Sequence, residues 1–209
     1  MLWRRFKLFL FLVLLIGLLG EAGFLYWQEH QPRENPFDAI ITSVAKDEGV
    51  DPFLIRAVIW RESRFKPMTH GTADERGLMQ VTPEAGQIWA KANKISNFTA
   101  DDLYQPETNI RAGTWYLNRS IRRWSQANAD DPIPFALAEY NAGRSNALKW
   151  VDPASPQDHN AFLQRITFPG TRNYVEVILE KRDQYRTELA RSPWYRDYLA
   201  ANPATTETP

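Results

Sequence analysis

The sequence predicts an all-α domain, on three grounds. Asn35-Pro36, Asp51-Pro52, Thr82-Pro83 and Asp131-Pro132 each place a side-chain N-cap before the residue suited to the first helical position. Apolar residues after these pairs recur at three- and four-residue spacing. No stretch shows the period-two alternation of a half-buried strand.

The elements follow in order. Asn35-Pro36 opens a helix through Phe37, Ile40, Ile41, Val44 and Ala45, and Gly49 closes it. Asp51-Pro52 opens a second, with Leu54, Ile55, Val58 and Ile59 as its apolar face, ending near Glu62. Thr82-Pro83 opens a third around Ile88 and Trp89. A longer helix runs from Pro106 to about Trp124, with Ile110, Gly113, Tyr116 and Leu117 on one side. Asp131-Pro132 opens a fifth, ending near Tyr140, and Thr171 opens the last long one, striped by Tyr174, Val177 and Ile178. Loops are expected at 66–81 and 151–170. The division is 1–27 as anchor or signal, 28–35 as linker, 36–190 as the helical domain, and 191–209 as a polar tail.

Composition narrows the function. With 25 basic and 25 acidic residues the 209-residue chain is neutral, which speaks against a nucleic-acid binder. It has no Cys, so disulfides, thiolate metal sites and a Cys nucleophile are all excluded. His30, His70 and His159 are scattered and HExxH is absent, so no metal and no cofactor is expected. Eight Trp, eight Tyr and eleven Phe are an aromatic surplus; most is core, but sugar rings also stack on aromatic faces.

Arg4, Arg5 and Lys7 precede an apolar stretch, Leu8 to Trp27, that would span ~30 Å as a helix. The positive flank favours a cytoplasmic N-terminus, and Tyr26 and Trp27 suit the far interface. The competing reading is a cleaved signal, with Gly20-Glu21-Ala22 supplying small residues near a cleavage point. Either way the rest of the chain is expected to be exported: anchored in a bacterial inner membrane with its domain in the periplasm, or free there.

The candidate chemistry starts at Glu62. It lies four residues after Val58 and three after Ile59, on or beside a buried face. Desolvation and the negative end of the helix dipole both favour its protonated form, as a general acid needs. The alternative is a solvated Glu in a last helical turn. Three later segments bear on this: Gly77-Leu78-Met79-Gln80-Val81-Thr82-Pro83, Asn109-Ile110-Arg111-Ala112-Gly113-Thr114-Trp115-Tyr116-Leu117 and Ala138-Glu139-Tyr140-Asn141-Ala142-Gly143. Each alone reads as a loop, a packed helix or a C-cap.

In this order, with Glu62-Ser63-Arg64-Phe65 before them and Ala161-Phe162-Leu163 and Gly170-Thr171-Arg172-Asn173-Tyr174-Val175 after, the chain resembles the soluble-type lytic transglycosylases of glycoside hydrolase family 23. The resemblance covers about residues 38–187. It implies a lysozyme-like helical fold of the goose-lysozyme and transglycosylase type. It also implies non-hydrolytic cleavage of the bond between N-acetylmuramic acid and N-acetylglucosamine in peptidoglycan, leaving 1,6-anhydro ends. Glu62 matches the single catalytic acid. Ser63, Met79, Gln80, Tyr140, Asn141 and Tyr174 match substrate-facing or acid-facing positions, with Gly77 and Leu78 in the cleft loop. Peptidoglycan strands are the implied partner, with the inner membrane and cell-wall machinery as further candidates. Gly170 and Gln164 stand where the family often has acidic residues. Glu139 fills a slot that is commonly small, so it is expected to face solvent or extend the cleft's polar rim. A goose-type lysozyme hydrolysing the same bond, or a non-catalytic peptidoglycan-binding or structural module, would share these motifs. Met79, Tyr140 and Tyr174 are expected to converge on Glu62, with no Lys or Arg paired to it.

Overall fold

The computed structural model describes Trp3, Gly17, Gly20, Glu21 and residues 35–189 and 192–201. The chain divides into two compact units, 1–34 and 35–209. In the first, the four described residues are helical; the rest of the expected Leu8–Trp27 span lies outside the described residues. Among the described residues no helix is long and apolar enough to cross a membrane.

The described part of the second unit is helical: α1 (Asp38–Glu48), α2 (Pro52–Ser63), α3 (Pro83–Ala92), a 3₁₀ turn (Ala100–Tyr104), α4 (Pro106–Gln126), α5 (Pro132–Ala142), α6 (Arg144–Trp150), α7 (His159–Arg165), α8 (Pro169–Leu189) and α9 (Pro193–Ala201). The Asx-Pro and Thr-Pro pairs act as expected. Asp51, Thr82 and Asp131 accept backbone N–H bonds from Phe53, Ala85 and Ile133. Asn35 Oδ1 accepts from Phe37 N at 3.1 Å, although regular helix begins only at Asp38. Gly49 closes α1 at φ 69°.

α2 is the hub. Every residue from Pro52 to Ile59 is buried, so the helix is wrapped on all sides, not on the single face its periodicity suggested. Arg56 is the polar member of this run. It pairs with the buried Asp38 and lies over the rings of Phe65 and Tyr185. α8 makes the most extensive contact with α2, and α4 packs along α5. The core gathers Phe53, Ile55, Leu78, Met79, Phe135, Phe162 and Tyr174, all essentially inaccessible.

Four elements depart from the sequence reading. α7 lies in the expected 151–170 loop; Asp158 caps it, but seven residues with one buried apolar side chain, Phe162, carry little periodicity. α6 begins straight after Gly143 with no side-chain cap, so it had no start signal. α8 begins at Pro169 and not at Thr171, whose hydroxyl is used elsewhere. α9 occupies 193–201, inside the stretch read as a tail: Ser192-Pro193 is the same Pro device again, and Tyr198 is buried.

Candidate active site

Glu62 stands in the last turn of α2, half-buried, one residue before the helix ends. The chain then turns sharply through two successive left-handed residues, Arg64 (φ 54°) and Phe65 (φ 61°). Neither is Gly, and such a conformation costs about 1–2 kcal/mol per residue. Arg64 folds back along α2, its Nη1 donating to Trp60 O at 3.1 Å and its guanidinium 3.5 Å from the Trp60 ring centre. Arg61 lies over the Tyr174 ring, 5.5 Å from its centre. Among the described residues neither arginine, nor any other cation, pairs with the Glu62 carboxylate within 4.0 Å.

The Tyr174 hydroxyl donates to Glu62 Oε1 at 2.6 Å, across from α8. Burial pushes the Glu62 carboxyl up to about 7. The Tyr174 hydrogen bond and the Arg61 charge pull the other way, and the Glu75 charge adds to the rise. Burial also pushes the Tyr140 and Tyr174 phenols well above their ordinary value, so both are neutral donors at neutral pH.

Of the three residues expected to converge on Glu62, Tyr174 bonds to it directly, and Met79 and Tyr140 make no hydrogen bond to it. Tyr140 donates to the Met79 carbonyl at 2.9 Å and not to Glu62, but it lies within reach of the Glu62 charge. Tyr116 meets Tyr140 edge-on at 6.2 Å. Met79, in the 66–82 loop between α2 and α3, is wholly buried, and its sulfur accepts from Thr114 Oγ1 at 3.6 Å. It anchors that loop; its side chain is not offered to a ligand. Ser63 also binds the loop. It is buried, and its hydroxyl is shared between the carbonyls of Leu78 (2.8 Å) and Ile59 (3.2 Å), so it stitches the loop to α2. Gln80, at φ 49°, donates through Nε2 to Gly77 O (2.8 Å) and Thr69 O (3.2 Å), bracing the loop from within. Asn141 is exposed, and its Oδ1 accepts from Thr171 Oγ1 at 2.8 Å, joining the end of α5 to the start of α8.

The residues that sequence reasoning undervalued lie in α4. Asn109, fully buried, accepts from Met79 N and donates to Arg76 O and Leu103 O, each at 2.7 Å. Gly113 leaves the space that Met79 fills: a Cβ there would come within 2.7 Å of the Met79 side chain. Gly77 is required twice over, by φ +76° and because a Cβ would lie 2.3 Å from Leu103 O. The available signal was Asn109 itself, a polar residue on an otherwise apolar helix face.

Glu139 neither faces solvent nor lines a rim. It is 3% exposed and accepts from Ser120 Oγ (2.9 Å), Trp124 Nε1 (2.9 Å), Arg144 Nη1 (3.2 Å) and, more closely, Arg123. It ties α4, α5 and α6 together. Asp130, Asp158 and His159 bring ligand-type atoms within 4.8 Å of one another. Their oxygens serve local structure, with Asp158 capping α7 and Asp130 bonded to His159.

Residues 39–163 match the family described as the transglycosylase SLT domain. Over 171 residues the chain is 28% identical to a soluble lytic murein transglycosylase of Salmonella typhimurium, covering 78% of this chain and 26% of that protein. Over 170 residues it is 26% identical to a membrane-bound lytic murein transglycosylase C of Edwardsiella ictaluri, covering 74% of this chain and 47% of that one. The 70 kDa soluble lytic transglycosylase of Escherichia coli has a similar structure, with a TM-score of 0.66 at 27% identity, covering 76% of this chain and 25% of that one. The expected lysozyme-like helical fold is the one found. The chain spans about a quarter of the length of the soluble relatives and about half of the membrane-bound one.

Proposed function

The chain belongs to the transglycosylase SLT domain family, and on that footing we propose that it cleaves peptidoglycan without water, with Glu62 as acid and then base. The observation that carries this is one carboxyl, half-buried, held near 7 by its surroundings, bonded to a neutral phenol and, among the described residues, unpaired with any cation. Such a group is protonated for a useful fraction of the time at neutral pH and gives up its proton readily. Glu62 protonates the oxygen bridging N-acetylmuramic acid to N-acetylglucosamine. The sugar's 2-acetamido group stabilises the cationic centre at C1. Glu62, now a carboxylate, takes the proton of the 6-hydroxyl of the same muramic acid, which closes onto C1 as a 1,6-anhydro ring. One carboxylate suffices because no external water has to be activated. Tyr174 orients Glu62 and stabilises its anionic form between the two proton transfers. Tyr140, Asn141 and the loop around Gln80 border the sugar, and Ser63 and Met79 hold that border in place.

The test is mass spectrometry of murein digested by the protein. Anhydro-muramic ends support the reading; reducing ends, heavier by one water, would replace it with a hydrolase. Glu62→Gln keeps size and removes the transferable proton, so turnover should fall by about 10²–10⁴-fold with the fold retained. A folded Glu62→Gln protein with ordinary turnover would remove Glu62 from its role.

We further propose that Leu8–Trp27 is an uncleaved anchor that holds the domain in the periplasm. The length of the stretch, its basic flank and its aromatic end support this. The full chain should then stay with inner membranes after a high-salt wash. An N-terminus beginning near Gly23 would establish the cleaved signal instead.

A further inference from the structure

The outer face of α4 carries a feature the proposed reaction does not use. An open cavity of about 460 Å³ lies there, lined by Trp115, Asn118, Arg119, Arg122, Arg123 and Gln126 of α4 together with Glu48 and Asn93. At about 100° per residue, Trp115, Arg119, Arg122 and Gln126 stand roughly 180–240° round the helix from Gly113. Gly113 faces Met79 and the loop beside Glu62. The cavity is therefore on the side of α4 turned away from the acid, and a strand held at Glu62 does not reach it by the same face.

Its chemistry is mixed in a particular way. Arg119 and Arg122 are exposed, and among the described residues neither has a carboxylate within 4.0 Å. Arg123 is instead tied to Glu139, which fixes its position. Arg119 lies 5.6 Å from the centre of the half-buried Trp115 ring. Asn118 Nδ2 donates to the Glu48 backbone carbonyl at 2.7 Å and to Glu48 Oε2 at 3.3 Å, which holds that carboxylate in the lining as an acceptor. The amides of Asn93 and Gln126 add donors and acceptors. An aromatic plane suits the C–H face of a sugar ring. Amides and one carboxylate suit its hydroxyl and acetamido groups. Unpaired guanidinium forks suit a carboxylate, which they bind in two-bonded fashion. The volume falls within the range of small-ligand sites.

We propose that this cavity is a second saccharide site, separate from the Glu62 cleft, that takes a sugar bearing a free carboxylate. An acidic sugar uses all three features at once; a neutral sugar leaves the arginines idle, and a bare phosphate leaves the ring and amides idle.

The test titrates the full chain, in detergent micelles, with N-acetylmuramic acid and with N-acetylglucosamine, which differ by the carboxylate-bearing lactyl group. Arg119→Ala/Arg122→Ala should weaken N-acetylmuramic acid binding by about tenfold or more, the loss expected for hydrogen bonds to a charged group. N-acetylglucosamine binding should change less than about twofold, since it engages neither guanidinium. Circular dichroism melting confirms that the variant folds, and Arg119→Lys/Arg122→Lys, which retains the charges, serves as a second folded reference. Unchanged N-acetylmuramic acid binding in the folded double variant would overturn the proposal, because the sugar would then sit elsewhere. Equal loss for both sugars, or binding only to phosphatidylglycerol vesicles, would overturn it as well. Cleavage at Glu62 is read separately from anhydro ends, so its failure leaves this result standing, and the reverse.

Discussion

Glu62 illustrates how a single residue's setting decides its chemistry. Its carboxyl is raised because burial disfavours the anion, and Tyr174 partly offsets that rise by donating to it. The group must be protonated to act as an acid, so activity should fall as pH climbs through about 7. Tyr174→Phe removes a donor that favours the anion. The remaining influences then push the carboxyl higher, and the alkaline limb of the pH–rate profile should move to higher pH while the maximal rate drops about tenfold or more. A limb that moves down, or stays, would show that the phenol does not act through Glu62. The linkage to stability has the same sign. A carboxyl raised in the folded state contributes stability that is full below its unfolded value, near 4.5, and is lost as pH rises through about 7. Thermal melts of the wild type should therefore fall between pH 5 and 8 more than those of Glu62→Gln.

At the scale of elements, the site is a loop fastened to helices. Asn109 holds the Met79 amide, Gly113 makes room for the Met79 side chain, and Tyr140 takes its carbonyl. Gly113→Ala forces a methyl into a filled position and should cost about 1–3 kcal/mol. It should also lower turnover, although residue 113 is buried against Met79. A stability loss with full turnover would mean the loop's exact seat is unimportant. The same elements show what could be read beforehand. Helix starts were legible because Asp51, Thr82 and Asp131 do in the structure what their chemistry favours. The pairing of Glu62 with Tyr174, 112 positions apart, was legible only through the ordered motifs, since no local rule connects them. The loop bonds of Ser63 and Met79 were not legible, because a motif marks a residue as needed without saying whether a ligand or a neighbouring loop needs it. α6 and α7 were missed because seven-residue helices bury too little to leave a periodic trace.

For the whole molecule, the buried polar groups show where specificity of fold was placed. Glu139 receives hydrogen bonds from two arginines, a serine and an indole, and joins three helices. Glu139→Ala leaves Arg123 without its partner beside an emptied pocket, and should cost about 3–5 kcal/mol. At the usual 2–4 °C per kcal/mol for a domain of this size, the melting temperature should fall by roughly 6–20 °C. A shift of a degree or two would mean that solvent replaces the lost contacts.

The 66–82 loop has a further consequence, for durability. It is long and has almost no regular structure, the profile of a segment that frays first and is cut first. Here it is tied to α2 through Ser63, to α4 through Asn109 and to α5 through Tyr140, three helices that share the core. These bonds all fall on 76–79, so opening that stretch means giving up contacts to all three helices at once, whereas the largely exposed 66–74 stretch is not held by them. Heat should abolish cleavage and melt the helices in one transition, and an added protease should cut the loop within 66–74 and leave 76–79 intact until the helices melt.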